Sequence, residues 1–302
     1  MGVEAIMLEF KRLTLDDKDI IEKYFIYSVN RICDNTIGGA LIWRDYFAVE
    51  YALYNDTVVF KARMKNHNNI TAFSVPLGED VYGVLDKITE YCDSHGLPVT
   101  FFSVTGEGIE TLKKRFDKYE LFTKPDWSDY IYKFEDLATL SGRRYSGQRN
   151  HINGFIKNHD SYTFEEITGD NLKAVQDFYS RLCADATFST EIALEEHNKT
   201  IEVLDKFDIY GLYGGLIKTS GEIIAFAVGE VMNGVLFVHI EKADTKYRGA
   251  YQIINKEFAS RFISCNAEYI NREEDDGVEG LRISKLSYHP HEIVEKYILH
   301  VV

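Results

Sequence analysis

The sequence predicts an α/β protein built from two copies of one domain, each with a mixed central sheet flanked by helices. Three observations predict this architecture: the chain has 302 residues, helix-like and strand-like segments alternate along it, and they recur in the same order in both halves. In each half we expect a strand, one or more helices, a β-meander, a helix, a strand, a helix and a final strand. Only four prolines and 45% hydrophobic residues are typical of compact domains without long linkers.

Two pairs of similar segments support the duplication. Residues 10–16 (FKRLTLD) resemble residues 164–170 (FEEITGD), and in both copies an extended segment leads into a helix capped by Thr or Asp. Later, GIETLK in the first half resembles GVEGLR in the second, and each follows a strand and a polar loop. The pattern is interrupted by DLATLSG, near residues 138–142. We therefore predict domains over residues 1–140 and 141–302.

Charge and composition narrow the class of protein. The formal net charge of −14 disfavours general affinity for nucleic acids and anionic lipids, because both are polyanions. No window approaches the roughly 18 apolar residues of a membrane span, and the first residues lack the pattern of a signal peptide. The four cysteines are widely spaced, which indicates free thiols rather than a disulfide or zinc framework. We expect a cytoplasmic protein without a membrane span.

The first candidate site lies in the segment VLFVHIEKADTKYRGAYQIINKEF. An apolar strand ends at His239 and Glu241, and a glycine-containing loop then opens a helix. Such a junction presents unpaired backbone N–H groups and the positive end of a helix dipole to a phosphate. The residues predicted to bind the donor or cofactor there are Lys246, Tyr247, Arg248, Gly249 and Ala250. The alternative is an ordinary helix start with an exposed arginine.

The first half lacks the cations of this loop. Its corresponding segment, PLGEDVYG, has Glu79 and Asp80 where the second half has Lys246 and Arg248. Carboxylates at this position would repel a phosphate. We therefore predict that the first copy is non-catalytic and that the working site lies in the second copy.

Two polar clusters follow the next predicted strand. Acidic residues at a strand end can hold a substrate amine or act as a general base, although a solvated acidic loop has the same composition. This first cluster contains Asn271, Arg272, Glu273, Asp275 and Asp276. The second contains Arg282 and Lys285, which share a helix face, and then Tyr288, a candidate proton donor or substrate contact. The alternative for this second cluster is an ordinary basic helix face.

We predict no metal site. The acidic run lacks the spacing and the terminal Glu of an EF-hand loop, and His289 and His291 have no partner pattern for a metal.

A basic stripe begins the second half. Between Asp136 and Asp160 there are no acidic residues, and a helix over this segment would place Arg149, Asn153 and Lys157 on one face. Basic residues interleaved with aromatic ones suit an RNA or phospho-ligand surface. The alternative is an inter-domain helix whose arginines pair with carboxylates of the other copy.

Three segments resemble a known family: YIYKFEDLATLSGRRYSGQRNHINGF, HIEKADTKYRGAYQIINKEFA and YINREEDDGVEGLRISKLSYHP. They are similar to the C-terminal domain of phosphatidylglycerol lysyltransferases. This resemblance implies a tandem GNAT-like fold related to the Fem-type aminoacyltransferases, which move an amino acid from aminoacyl-tRNA to an acceptor. It also implies the same site: the strand end at His239–Glu241, the loop at Lys246–Gly249, and the polar residues Asn271 to Asp276, Arg282, Lys285 and Tyr288. The lysyltransferases carry an N-terminal transmembrane region that these 302 residues do not contain, and the loop departs from the CoA-binding pattern Q/R-x-x-G-x-G/A.

The resulting hypothesis is an acyltransferase or aminoacyltransferase that uses acyl-CoA or aminoacyl-tRNA and an amine or hydroxyl acceptor. Glu241 or Glu273 would deprotonate or orient the acceptor, and Tyr288 would protonate the leaving group. The predicted substrate-binding residues are His239, Asn271, Arg272, Asp275, Asp276, Arg282, Lys285, Arg149 and Asn153. The alternative is a non-catalytic module that binds RNA, a nucleotide or a protein through the stripe from Arg143 to Lys157.

Overall fold

The computed structural model describes residues 7–65, 67–159, 161–261 and 267–302. Its contacts divide the chain into two compact units, which are Met1–Ser128 with Val294–Val302 (unit 1) and Asp129–Ile293 (unit 2). Each unit contains one mixed sheet flanked by helices, as predicted for two copies of an α/β domain. In the described ranges, no helix is both long and apolar enough to cross a bilayer.

The sheet of unit 1 has the strand order β1-β2-β3-β4-β6-β15-β7, and β5 pairs with β3. Its strands are β1 (Lys11–Arg12), β2 (Glu50–Tyr54), β3 (Thr57–Met64), β4 (Ile70–Phe73), β5 (Leu77–Gly78), β6 (Thr100–Val104), β7 (Tyr119–Thr123) and β15 (Tyr297–Val301). Its α-helices are α1 (Lys18–Ile21), α2 (Ile37–Ile42), α3 (Val81–His95) and α4 (Gly106–Leu112). Short 3-10 helices span Leu15–Asp17, Glu22–Tyr27, Cys33–Asn35 and Pro125–Trp127.

The sheet of unit 2 has the order β9-β10-β11-β12-β13-β8-β14. Its strands are β8 (Asp129–Lys133), β9 (Tyr162–Glu166), β10 (Tyr213–Thr219), β11 (Glu222–Met232), β12 (Val235–Ala243), β13 (Tyr269–Asn271) and β14 (Glu292–Val294). Its α-helices are α5 (Phe134–Thr139), α6 (Ser146–Asn158), α7 (Gly169–Leu182), α8 (Glu191–Asp205), α9 (Phe207–Tyr210), α10 (Ala250–Arg261) and α11 (Glu279–Ser287), and a 3-10 helix spans Arg143–Tyr145.

The two sheets repeat one topology. A meander leads into a parallel neighbour pair, β4 with β6 in unit 1 and β12 with β13 in unit 2. The first helical segment also repeats, because Thr14 and Thr168 each form a capping box with the residue three positions later. These shared features agree with the segments from which the duplication was predicted.

The units divide at residues 128 and 129 rather than near residues 138–142, and the last nine residues belong to unit 1. The reason is strand pairing that short sequence motifs do not encode. β8 lies between β13 and β14 in unit 2, and β15 lies between β6 and β7 in unit 1. β8, which follows the edge strand β7 of unit 1 in the chain, therefore joins the sheet of unit 2. β15, which follows the edge strand β14 of unit 2, joins the sheet of unit 1.

The cores explain why these segments form sheets and helices. Central strand β11 is buried along most of its length, so its sequence EIIAFAVGEVM is a continuous apolar run rather than an alternating one. α10 packs against it through Ile253, Ile254 and Phe258. Three cysteines, Cys33, Cys92 and Cys183, are free thiols as predicted, and Cys265 lies outside the described residues.

β15 provides a test of the strand exchange. Leu299 is fully buried in the core of unit 1, so we expect Leu299→Ala to lower the free energy of unfolding by about 2–5 kcal/mol. The exposed Val302, at the end of the same segment, is the matched control, and Val302→Ala should change stability by less than about 0.5 kcal/mol. Urea unfolding followed by circular dichroism measures both, and equal effects would contradict the pairing of β15.

Candidate functional site

The candidate site lies in unit 2, where the parallel strands β12 and β13 part. Their ladder pairs Val235 with Tyr269, Leu236 with Ile270 and Phe237 with Asn271, and β13 then ends. β12 continues beside β11 as far as Ala243. An opening at the carboxyl ends of parallel strands is a common position for a ligand site in open α/β sheets.

A β-bulge presents the first charged side chain at this opening. On β11, Val228 pairs with Ile240 and Gly229 pairs with Val238, so His239 is the extra residue of β12. Gly229 is required opposite the bulge, because a Cβ atom there would lie 2.1 Å from the Phe237 carbonyl oxygen. The bulge thus places His239 at the divergence of the two strands.

His239 is held between two carboxylates. Its Nδ1 lies 2.7 Å from Glu273 Oε1 and its Nε2 lies 2.9 Å from Glu230 Oε1, and only 1% of the side chain is exposed. Burial opposes protonation, but the hydrogen bonds to Glu230 and Glu273 outweigh it and raise the pKa of His239 to about 10. The ring is therefore an imidazolium at neutral pH and links β11, β12 and the segment after β13.

A second ion pair crosses the opening beside the first. Arg272 Nη2 donates to Glu241 Oε1 at 2.9 Å, and Asn255 Nδ2 of α10 lies 3.3 Å from Glu241 Oε2. The guanidinium lies 5.0 Å from the centre of the Tyr288 ring. Among the described residues, buried Arg272 Nη1 and buried Asn255 Oδ1 have no hydrogen-bond partner. One unused donor and one unused acceptor therefore flank the same carboxylate.

Asp275 is buried and forms an ion pair with Arg282. Its carboxylate accepts two hydrogen bonds from Arg282, at 2.9 and 2.7 Å, one from Tyr130 Oη at 2.6 Å and one from the Gly277 N–H at 2.9 Å. Burial alone would raise the pKa of Asp275, but these donors hold it below its usual range. Asp275 and Arg282, predicted to bind substrate, thus bind each other, and this pairing fixes the loop against α11. Asp276, predicted with them, is exposed.

Lys285 holds the backbone of the segment that follows β13. Its ammonium donates to the carbonyl oxygens of Arg272 at 2.6 Å, Glu273 at 3.1 Å and Glu274. An ammonium has three donors, so these carbonyls use its whole capacity. Burial, and next the nearby Arg272 guanidinium, lower the pKa of Lys285. Lys285 is thus a support for the backbone of the site.

The backbone around Glu273 has an uncommon conformation. Glu273 has a φ of 58°, and its N–H donates to Asn271 Oδ1 at 2.6 Å. Asn271 in turn donates to Asp129 Oδ2 at 2.6 Å. A non-glycine residue in the left-handed region persists only where its surroundings hold it, and such residues concentrate at functional sites. The arrangement directs Glu273 towards His239.

The predicted phosphate loop is a separate feature of unit 2. The Lys246 N–H donates to Asp244 Oδ1 at 2.9 Å, so one backbone donor expected to hold a phosphate is already bound to a carboxylate. Gly249 has a φ of 105°, and a Cβ atom there would lie 2.6 Å from the His151 carbonyl oxygen. Exposed Arg248 lines a cavity of about 410 Å³ with one face of α6, formed by Gly147, Asn150, His151, Gly154 and Asn158. Tyr247 donates to Glu222 at 3.4 Å, and Ala250 is buried at the start of α10.

The basic stripe is largely committed to local contacts. Arg149 donates to the carbonyl oxygens of Leu140 and of Gly142, the latter at 2.7 Å, and Arg144 pairs with Asp136 at 2.5 Å. Asn153 and Lys157 are exposed on α6. These residues do not join the cluster around Glu241 through any contact in the described part of the chain.

Comparison with known proteins identifies the family. A family model described as "Phosphatidylglycerol lysyltransferase, C-terminal" matches residues 28–300, which include all of unit 2 and most of unit 1. The chain belongs to this family. The resemblance carried by the three sequence segments is thereby confirmed.

The chain is similar to proteins from several bacteria. This member is 35% identical to a conserved protein of unknown function from Bacteroides thetaiotaomicron VPI-5482, with a TM-score of 0.89 over 98% of this chain and 100% of that one. It shares its fold with L-PGS from Bacillus licheniformis, at 16% identity and a TM-score of 0.63 over 93% and 91% of the two chains. It is 28% identical to the uncharacterized protein MYCGA3080 of Mycoplasmoides gallisepticum over 66% of this chain, and the match spans 64% of that relative's length.

Four residues of the site were not predicted from the sequence: Glu230, Asn255, Tyr130 and Asp129. A carboxylate directly after Gly229 in an otherwise apolar strand was a signal for Glu230. Asn255, in the apolar helix INKEF, was a weaker one. Tyr130 and Asp129 contribute only because β8 belongs to the sheet of unit 2, which the predicted boundary obscured.

The position of His239 between two carboxylates predicts how the stability of the protein depends on pH. Because its folded pKa of about 10 exceeds the ordinary 6.5, protonated His239 stabilises the fold fully below about pH 6.5. This contribution is lost as the pH rises through about 10, with a slope of at most about 1.4 kcal/mol per pH unit.

Nuclear magnetic resonance of the imidazole measures this pKa, with the signal assigned by its absence from His239→Gln. Glu230→Gln and Glu273→Gln should each return the pKa of His239 towards 6.5. An imidazole that titrates near 6.5 in the unsubstituted protein would contradict the double ion pair.

Proposed function

We propose that unit 2 is an aminoacyltransferase that moves an amino acid from aminoacyl-tRNA to an amine or hydroxyl acceptor. The observation that supports this most directly is the pair of unused polar atoms beside Glu241. Arg272 Nη1 is a buried donor and Asn255 Oδ1 is a buried acceptor, each without a partner among the described residues. An aminoacyl ester carries the complementary groups, a carbonyl oxygen that accepts and an α-ammonium that donates.

The charges also favour an aminoacyl donor over a simple acyl donor. Glu230, Glu241 and Glu273 surround the opening, and an α-ammonium would bind beside Glu241 and Asn255. An acetyl group has no ammonium, so it would leave Asn255 Oδ1 unpaired in a buried place. Such a mismatch costs about 1–3 kcal/mol. The family description names a lysyl group, whose second ammonium would suit the remaining carboxylates.

The reaction follows from these placements. The acceptor nitrogen or oxygen attacks the ester carbonyl carbon and forms the new amide or ester bond. The bond from that carbon to the ribose oxygen of the tRNA breaks. Glu273, which has one carboxylate oxygen on His239, takes the proton of the acceptor, and that proton passes to the departing ribose oxygen. Arg272 Nη1 stabilises the negative charge that develops on the carbonyl oxygen.

Tyr288 has a different role here from the predicted proton donor. It is 2% exposed, its ring lies against the Arg272 guanidinium, and burial raises its pKa above the usual range. A phenol whose pKa lies this far above neutral is a poor proton donor at neutral pH, and its ring is held against Arg272. We assign Tyr288 as a positioning residue for Arg272.

The remaining predicted parts extend the proposal. Arg248 and the cavity along α6 would receive a phosphate of the donor, because the guanidinium there is exposed and lies beside a concave polar surface. Unit 1 is non-catalytic in this proposal, since Asp80 occupies the N-terminus of α3 by accepting from the Gly83 N–H at 3.0 Å. The free cysteines favour a cytoplasmic location.

Asn255→Leu tests the donor assignment, because it should affect activity more than stability. It removes an acceptor that has no partner in the folded protein, together with the long 3.3 Å hydrogen bond from Asn255 Nδ2 to Glu241, so stability should change by no more than about 1.5 kcal/mol. It also removes the ammonium's acceptor, so kcat/KM for transfer from aminoacyl-tRNA should fall by about ten-fold or more.

The assay follows labelled amino acid from tRNA to a panel of amine and hydroxyl acceptors. Asn198→Leu, an exposed change on α8, is the control and should leave the rate unchanged. Turnover of acetyl-CoA without turnover of aminoacyl-tRNA would overturn the proposed function.

A further inference from the structure

Unit 1 contains a cavity that the proposed reaction does not use. It has a volume of about 300 Å³ and lies on one face of the strands β1 to β4, beside the end of α3. Its polar lining is Arg12, Glu50, Lys61, Arg63, Thr71 and His95. The volume is at the lower end of the range for small-ligand pockets.

The strand register brings the cations of this cavity together. Arg12 of β1 lies opposite Glu50 of β2, and Glu50 lies opposite Lys61 of β3. Arg63, two residues after Lys61, points to the same face and lies opposite Thr71 of β4. Three positive charges therefore lie together where only one carboxylate, Glu50, lines the cavity.

Lys61 is a preorganised part of this lining. Its ammonium pairs with Glu50, donates to Tyr91 Oη at 3.0 Å and lies 4.4 Å from the centre of the Phe10 ring. These contacts fix its position, with 17% of the side chain exposed. Lys61 therefore contributes a fixed positive charge beside the opening, without a further rearrangement.

The two arginines are the groups available to a ligand. Arg12 pairs with Asp45 at 3.0 Å, but both side chains are nearly half exposed, so water screens that pair and it is weak. Arg63 is exposed, and no side chain in the described ranges forms an ion pair or hydrogen bond with it. Glu50 and Asp45 offset two of the three cations, so Arg63 supplies the net positive charge at this cavity.

The aromatic side of the cavity narrows the class of anion. The rings of Tyr91 and His95 are stacked, with centroids 4.0 Å apart and planes at 21°, and both residues line the cavity. His95 Nδ1 lies 2.8 Å from the Tyr91 carbonyl oxygen, which holds the imidazole in place. A fixed, exposed aromatic ring beside arginines is suited to a base that stacks while its phosphate is bound.

We propose that this cavity of unit 1 binds a nucleotide. Arg12 and Arg63 donate to its phosphate, Lys61 adds positive charge, and the base stacks on His95. The nucleotide is either a free mononucleotide or one residue of an RNA strand, since both present the same phosphate and base. This site is independent of the transfer reaction in unit 2 and requires no turnover.

The test is calorimetric titration of the full chain with adenosine 5′-monophosphate, adenosine and inorganic phosphate. We expect saturable binding of the nucleotide, with binding of adenosine and of phosphate each at least ten-fold weaker. Arg63→Ala should weaken the affinity for the nucleotide by about ten-fold or more, since it removes a charged hydrogen bond. Lys118→Ala removes an exposed charge of unit 1 outside the cavity and should have no effect.

A parallel titration with uncharged tRNA identifies the source of the nucleotide. If Arg63→Ala weakens the binding of both tRNA and the mononucleotide, the site receives a residue of an RNA strand. If it weakens the mononucleotide alone, the ligand is a free nucleotide. Nucleotide binding that Arg63→Ala and Lys118→Ala leave equally unchanged, or no binding at millimolar concentration, would overturn the proposal.

Discussion

The candidate site depends on how the sheet of unit 2 is held together after the ladder between β12 and β13 ends. Beyond Phe237 and Asn271, charged side chains replace backbone hydrogen bonds as the connection between the two strands. His239 of β12 pairs with Glu230 of β11 and with Glu273 after β13, and Arg272 after β13 pairs with Glu241 of β12. Breaking one partner of a buried ion pair costs about 3–5 kcal/mol, so these contacts hold the opening in one geometry.

The contacts around this opening fall into two groups with different consequences. The Asp275 carboxylate and the Lys285 ammonium have used their hydrogen-bonding capacity and fix the segment after β13. Arg272 and Asn255 have not, although both are buried. A folded protein keeps a buried polar atom without a partner only at a cost in stability. That cost is the physical reason for assigning the second group to substrate.

Much of the second half could be predicted from the sequence, because its polar residues follow apolar strands at positions that a sheet brings to one edge. His239, Glu241, Arg272 and Glu273 were predicted as members of one site, and the structure pairs His239 with Glu273 and Arg272 with Glu241. Glu230 was not predicted, since its contact with His239 depends on a bulge that shifts the register of β12. The domain boundary was misplaced because pairing of β8 and β15 is non-local and leaves no pattern in either strand's own residues.

The central claim is that Arg272 and Asn255 receive the reacting aminoacyl group. The most direct measurement is nuclear magnetic resonance of the arginine side chains during titration with a stable analogue of lysyl-adenosine. In this analogue an amide replaces the ester that joins the lysyl group to the ribose. We predict a saturable shift of the Arg272 signal, assigned through Arg272→Lys, and no such shift when the α-ammonium of the analogue is acetylated. An unchanged Arg272 signal, or equal shifts with the acetylated analogue, would contradict the account.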